Sequence, residues 1–341
     1  MTSPHEGGSS SSYAPKGRKN MRRSYAGDSG SSIAAKCPRV ASALQRVSDR
    51  IVDGRDPKSA GPAGASDGND MVCAAGMAHF HVRADSRDIP EGGLKSIAAA
   101  VIEIPSGETH GVGTSFEGPL DMRLDTSSPV LLVLVDGTAC AYPGQLHPLT
   151  ASSMLILDAL GAAVRTFGEP PSGREASWLT DLLIDANARV LGVALGSLGG
   201  TLAVVLLAGD HAFCAHVGDV VVAVGSPRDE FAPVELTEDH TLLRSLREKQ
   251  VASEIEAELA NVLTRWFGAS NAAPDVRAIP VLEGDLVFLA PRSIISGVMA
   301  DVAIDRSVLR NDKGVWQQLV LDEARRRHDR SPVLLIAERL S

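Results

Sequence analysis

The chain has 341 residues, of which 44% are hydrophobic and 22% charged, and its formal net charge is −9. These values are ordinary for a globular protein with a substantial core, and no apolar run reaches the roughly 18 residues that a membrane-spanning helix requires. Lys and Arg are in excess over the first 70 residues, and Asp and Glu over the rest. An acidic globular part repels nucleic-acid phosphates, so we expect no nucleic-acid partner. The lack of a long apolar run means that we also expect no membrane span.

The N-terminal region differs in composition from the rest of the chain. Residues 1–70 are rich in Ser, Gly, Ala and Pro, which predicts a disordered basic arm, and no apolar stretch indicates a secretory signal. The four cysteines lack CxxC spacing, which favours reduced thiols and a cytoplasmic location. We treat residues 71–93 as a transitional segment, with Met71–His81 as a candidate strand or strap, and residues 94–341 as the folded domain.

Short apolar runs separated by Gly-rich turns predict many strands after residue 94. The predicted strands are Ser96–Ile104, Asp121–Leu124, Val130–Val135, Leu202–Leu207, Ala212–Val217, Val220–Val224, a hairpin and strand over Val281–Leu289, and Pro332–Ile336, with a turn region over Gly107–Gly118. Helical spacing predicts helices over Leu149–Phe167, Ala176–Leu195, Thr241–Trp266 and Val315–Arg327. Antiparallel strands with paired helices favour an α+β layered fold.

The apolar run Val130–Val135 ends abruptly at Asp136-Gly137. A run this short, bounded by turn residues, is typical of a strand that is buried on both faces. A carboxylate at the end of such a strand costs desolvation free energy unless a cation meets it. Asp136 is therefore a metal ligand, one half of an ion pair, or a strand-end turn former.

Taken in order, the segments VLLVLVDG, GTLAVVLL, HVGD, LTEDH, VLTRWFG, GDLVFL and DRSPVLLIA resemble the metal-dependent serine/threonine protein phosphatases of the PPM, or protein phosphatase 2C, type. The resemblance implies two stacked antiparallel β-sheets flanked by helix pairs. It also implies strand-end carboxylates that hold two Mn²⁺ or Mg²⁺ ions, which bind phosphate and activate a water. By this resemblance Asp136 is the metal-bridging ligand, Gly137 a carbonyl ligand, Asp329 the C-terminal ligand, and Asp219 a ligand of a further ion.

Several motifs depart from the pattern of that family. Its Asp-Gly-x-Gly-Gly becomes Asp136-Gly137-Thr138-Ala139-Cys140, and its Gly-Asp-Ser becomes Gly218-Asp219-Val220. Its Ser-Asp-Gly becomes Pro291-Arg292-Ser293, so a guanidinium, which stays protonated and cannot bind a cation, replaces a ligand carboxylate. We expect Arg292 to alter the site by lying near Asp136 and Asp329, in the place of a metal.

The first acidic motif of the family has two alignments in this chain. One places the acid at Asp121, with Phe116 where the family has an Arg. The other uses Arg83 and Asp88, which keep the Arg-to-Asp spacing but require a long insertion before the central strand. We favour Asp121, while His240 is expected to serve the LTEDH turn.

Two functions are consistent with this resemblance. The first is a pseudophosphatase that needs no metal and has little or no turnover, acting as a regulatory module for a protein partner; a phosphorylated protein is one candidate. The alternative is an active Mn²⁺- or Mg²⁺-dependent serine/threonine phosphatase with an altered metal site, in which Arg292 clamps phosphate.

Overall fold

Two antiparallel β-sheets of six strands each form the centre of the part of the chain that the structure describes. The structure is a computed structural model, and it describes residues 78–86, 96–113, 116, 118–137, 149–194, 198–209, 211–226, 233–248, 262–279, 281–298, 308, 311–327 and 332–340. These residues belong to one unit, Met71–Ser341. The predicted arm, residues 1–70, lies outside the described residues, as do Asp88 and Asp329.

The strands, in chain order, are β1 His79–Ser86, β2 Ile97–Glu103, β3 Thr109–Gly113, β4 Leu120–Asp125, β5 Val130–Asp136, β6 Thr201–Ala208, β7 His211–Val217, β8 Val220–Gly225, β9 Val234–Glu235, β10 Asp275–Ile279, β11 Leu286–Pro291 and β12 Val333–Leu340. The first sheet has the order β4-β1-β12-β11-β8-β9. The second sheet has the order β10-β7-β6-β5-β2-β3.

Helices cover the outer faces of both sheets. The helices are α1 Leu149–Phe167, α2 Glu175–Ala194, α3 Leu242–Glu248 and α4 Lys313–Arg327, and Ser293–Val298 forms one wide helical turn. Helices α1 and α2 pack on the second sheet, and α4 packs with the wide turn on the first. No helix among those that the structure describes combines the length and apolar character required to cross a membrane.

Strand β5 contributes side chains to the apolar layers on both faces of the second sheet. Its side chains alternate between two apolar clusters, because successive residues of a strand point to opposite faces. One set packs towards α1 and α2, namely Leu131, Val133 and Val135. The other set packs between the two sheets, namely Val130, Leu132 and Leu134. Asp136 is the next residue in the second row, so the strand alternation places it at the margin of the core between the sheets.

The described architecture confirms the predicted fold of two stacked antiparallel sheets with flanking helices. Strand β1 lies between β12 and β4, although the sequence analysis assigned its residues to the transitional segment. Strand β3 lies within the region that was predicted as a turn. Its residues pair with β2 across a hairpin whose turn includes Gly107, which has a φ of 68°.

The predicted helix Thr241–Trp266 is wrong at its C-terminal end. Residues 262–266 are not helical, whereas α3 ends at Glu248 and the residues between lie outside the described part. The amide of Leu242 donates to the carbonyl of Val262 at 2.7 Å, and the amide of Thr264 donates to the carbonyl of His240 at 2.8 Å. These long-range backbone bonds override the helical preference of the local sequence.

Candidate functional site

Asp136 is the last residue of β5, and only 8% of the residue is exposed. The opposite position on β2 is Ile97, so the residue before it, Ser96, reaches the carboxylate. The Ser96 hydroxyl donates to Asp136 Oδ1 at 3.2 Å, and the amide of Gly137 donates to the Ser96 carbonyl at 3.0 Å. The neighbouring strand thus offers a serine hydroxyl to Asp136, and the sequence analysis had not selected this residue.

Asp219 lies in the tight turn between β7 and β8. Burial, reinforced by the negative charges of Asp136 and Asp239, raises the pKa of its carboxyl group to about 6. Two carboxylates, Asp136 at the end of β5 and Asp219 in the turn between β7 and β8, therefore approach each other closely enough to interact. A proton or a bound cation would relieve their mutual repulsion.

Arg292 follows directly after β11, and its guanidinium binds two other carboxylates. Nη1 of Arg292 lies 2.7 Å from Oε2 of Glu235, and Nη2 forms an ion pair with Asp239. Burial raises the pKa of Asp239, and Arg292 acts in the opposite direction. The sequence analysis expected Arg292 to pair with Asp136 and Asp329. The ion pairs that the structure describes are instead with Glu235 in β9 and Asp239 in the LTEDH turn, neither of which was selected.

Asp121 lies on the edge strand of the first sheet, and its side chain is 62% exposed. Oδ1 of Asp121 is 2.6 Å from Nε2 of His81, and Oδ2 is 3.4 Å from Nε of Arg83. The hydrogen bond with His81 lowers the pKa of Asp121. The sequence analysis placed Asp121 and Arg83 in two different alignments of the first acidic motif. In the structure these two residues are cross-strand partners. Asp88 and Asp329 lie outside the described residues, and their roles stay predictions.

Behind the Asp219 turn lies a group that could hold a metal ion on geometric grounds. The candidate ligand atoms of His216, His240 and Asp275 all lie within 4.8 Å of one another. The two imidazole rings stack with their centroids 4.5 Å apart. Nε2 of His240 is 2.8 Å from Oδ2 of Asp275, and Arg265 binds the same carboxylate oxygen at 3.2 Å.

Hydrogen bonds occupy several of the atoms that such a metal would need. Nδ1 of His240 accepts from the amide of Gly218 at 3.0 Å, so its Nε2 carries the proton and donates to Asp275. Nε2 of His216 lies 2.6 Å from the carbonyl of Glu238 and must donate to it. Burial lowers the pKa of His216 to about 4 and also lowers the pKa of His240. The three side chains therefore form a neutral-imidazole network with one carboxylate.

The described residues fit one divalent ion better than a two-ion centre. Asp136 and Asp219 supply two carboxylates, and a hard ion such as Mg²⁺ is commonly held by one or two carboxylates with water completing the shell. Arg292 forms ion pairs with the nearby carboxylates of Glu235 and Asp239, and Ser96 offers Asp136 a hydroxyl rather than another carboxylate. Two closely spaced ions need more negative ligands than these residues provide.

No protein-family model matches the sequence, and no curated protein matches it. The fold, however, is similar to solved phosphatase structures. The S. agalactiae serine/threonine phosphatase is 18% identical over 77% of this chain and 100% of its own, with a TM-score of 0.56. The catalytic domain of the serine/threonine protein phosphatase PstP, in complex with two manganese ions, is 16% identical over 78% of this chain and 100% of its own, with a TM-score of 0.52.

The PPM Ser-Thr phosphatase MsPP from Mycobacterium smegmatis, in complex with cacodylate, is 17% identical over 76% of this chain and 98% of its own, with a TM-score of 0.53. These structures share with this chain the two-sheet architecture that positions Asp136 and Asp219. Because the sequence identities are below one fifth, the structural similarity shows a common fold alone. The chain therefore has the fold of the PPM-type serine/threonine phosphatases.

Proposed function

We propose that this protein is a pseudophosphatase, a phosphatase-like fold that binds and regulates a protein partner with little or no turnover. A phosphorylated protein is a candidate partner. One observation carries the proposal. Arg292, at the position where the resemblance implies a metal-binding Asp, is bound to the carboxylates of Glu235 and Asp239.

The contacts of Arg292 argue against efficient catalysis. An arginine cannot lose its proton in a protein, so Arg292 cannot bind the metal ion that the resemblance assigns to a carboxylate at this position. Both terminal nitrogens of its guanidinium are engaged by carboxylates, which weakens the idea that Arg292 clamps a phosphate group. Bidentate phosphate recognition needs those same nitrogens.

The local charge leads to the same conclusion. Four carboxylates interact here, those of Asp136, Asp219, Asp239 and Glu235, and Arg292 forms ion pairs with two of them, Glu235 and Asp239. A negative cluster repels a dianionic phosphate monoester. Phosphate binding at this cluster therefore depends on a bound cation, which the assay below varies.

A second candidate function is an active phosphatase that uses one Mn²⁺ or Mg²⁺ ion. The convergence of Asp136 and Asp219 favours it, because burial and the negative charge of Asp136 together raise the pKa of Asp219, and a cation would offset both effects. These two carboxylates would hold the ion, which would polarise a phosphoryl oxygen or lower the pKa of a bound water. Among the residues that the structure describes, these two carboxylates form one candidate ion site, so the proposed chemistry uses a single ion.

Phosphatase activity on p-nitrophenyl phosphate and on a phosphothreonine peptide, with millimolar Mn²⁺ or Mg²⁺, distinguishes the two functions. We expect no activity of the natural chain above that of Asp136→Ala, and a gain of metal-dependent activity in Arg292→Asp. Metal-dependent turnover in the natural chain that Asp136→Ala abolishes would overturn the pseudophosphatase proposal.

Arg244→Asp is the matched control for Arg292→Asp. Arg244 also forms ion pairs, at 2.8 Å with Glu238 and with Glu248, but it lies on the exposed surface of α3. Arg244 also interacts electrostatically with Asp239, but the same change of charge at this position leaves both ion pairs of Arg292 in place. A gain of activity in Arg292→Asp but not in Arg244→Asp would therefore be specific to the site.

A further inference from the structure

Gly218, which precedes Asp219, makes both of its backbone hydrogen bonds with a single residue. Its amide donates to Nδ1 of His240 at 3.0 Å, and its carbonyl accepts from the amide of His240 at 2.9 Å. Gly218 has a φ of 103°, and a Cβ atom at this position would collide with the side chain of Thr201. The turn therefore requires glycine.

The requirement for glycine at position 218 affects how firmly the neighbouring carboxylate of Asp219 is oriented. Glycine has access to far more backbone conformations than any other residue, so local steric restriction does not fix the backbone of Gly218 in the conformation of the turn. The direction of the Asp219 side chain then depends on whatever fixes the peptide groups of Gly218. In the described structure those bonds come from His240.

The ring of His240 is itself held on several sides. The side chain is buried, only 3% exposed, and Nε2 donates to Asp275, which Arg265 also binds. One face of the ring stacks on His216, and the carbonyl of His240 accepts from the amide of Thr264. Donation from Nε2 leaves the Nδ1 lone pair free to accept from the Gly218 amide.

We propose that His240 is a positioning residue for the carboxylate pair. Its Nδ1 holds the Gly218–Asp219 turn in the conformation that directs the carboxylate of Asp219 towards Asp136, and Asp275 holds the ring in the required tautomer. The ligand class served by this arrangement is a single hard divalent cation. This last point rests on the candidate single-ion site described above, whereas the positioning of the turn does not.

Two amide substitutions separate the two nitrogens of His240. His240→Asn places a carbonyl oxygen on Cγ, where Nδ1 is attached, and so keeps an acceptor for Gly218. His240→Gln extends the amide by one bond, towards Asp275, and leaves the Gly218 amide without an acceptor. The two variants have the same polar group, which makes each the control for the other.

The readout is hydrogen exchange of the Gly218 amide in the full chain, measured by NMR together with the trans-hydrogen-bond coupling between that amide and Nδ1 of His240. We expect the coupling in the natural chain and exchange in His240→Asn close to the natural rate. In His240→Gln, loss of the bond should accelerate exchange about ten- to a hundredfold. Equal acceleration in both variants, as a packing role predicts, would overturn the proposal.

Mn²⁺ titration of the same samples tests the ligand class. Paramagnetic broadening should centre on signals near Asp219, with an apparent affinity about tenfold weaker in His240→Gln and largely restored in His240→Asn. Absence of broadening in the natural chain would overturn the cation assignment, and with it the single-ion candidate. The exchange measurement would still decide the positioning role, so the two failures are distinguishable.

Discussion

Replacing Asp219 by Asn should stabilise the protein at alkaline pH and have little effect in acid. Burial, reinforced by Asp136, raises the pKa of Asp219 from 3.8 to about 6. Between these two values the folded chain retains a proton that the unfolded chain has released. The free energy of unfolding therefore falls as the pH rises from about 4 to about 6 and stays reduced above that range. Asparagine resembles the protonated carboxyl group and removes this penalty.

The size of the effect follows from the difference between the two pKa values. A separation of about two pH units, at about 1.36 kcal/mol for each, corresponds to about 3 kcal/mol. Part of this free energy comes from repulsion by Asp136, which also diminishes when Asp219 is neutral. We therefore expect Asp219→Asn to raise the free energy of unfolding by about 2–3 kcal/mol at about pH 8, and by close to zero at about pH 4.

Urea unfolding measured from about pH 4 to about pH 8, with EDTA present so that no cation offsets the charge, provides the assay. Asp158→Asn is the control, because Asp158 is an exposed carboxylate on α1. Its effect on the free energy of unfolding should be small, because the side chain is exposed. A pH-independent effect of Asp219→Asn, or destabilisation at about pH 8, would refute the reasoning that Asp136 and Asp219 form a buried, mutually repelling pair.

Arg292→Ala should lower the free energy of unfolding by about 1–3 kcal/mol, because it leaves partly buried carboxylates without their cation, whereas Arg244→Ala at an exposed pair should cost less than about 1 kcal/mol. If the pseudophosphatase proposal holds, EDTA leaves the urea midpoint of the natural chain unchanged; a large decrease would contradict it. Gly218→Ala should cost at least about 2 kcal/mol, since alanine is strained at a φ of 103° and its methyl group meets Thr201; a neutral result would disprove the tight turn. Burial holds the pKa of His216 near 4, so the stability that depends on its neutral ring is complete above about pH 6.5 and is lost as the pH falls towards 4. NMR titration of the ring checks this, and protonation near pH 6.5 would be incompatible with a buried neutral imidazole.

The elements that the sequence predicted best are those whose signal is local. The helical spacing of Leu149–Phe167 predicted α1 with the bounds that the structure has. The continuous apolar run of β5 predicted a strand buried on both faces, and its alternation between two cores confirms that reading. In both cases the residues that decide the conformation lie within a few positions of one another, so periodicity alone carries the information.

Periodicity could not identify the partners of the site residues. Ser96 meets Asp136 because β2 and β5 pair in one antiparallel register, and Arg292 meets Glu235 and Asp239 because the first sheet and the LTEDH turn bring them together. Such contacts join residues that are tens of positions apart.

The sequence by itself determined helix α1 and most of the strands, the two-sheet architecture through its resemblance, and the choice of Asp136, Asp219 and Arg292 as residues to examine. Only the tertiary structure decided which charges meet and how His240 holds the Asp219 turn. The physical reason is that hydrogen bonds and ion pairs act over a few ångströms in space. Strand register, rather than spacing along the chain, decides which groups come within that distance.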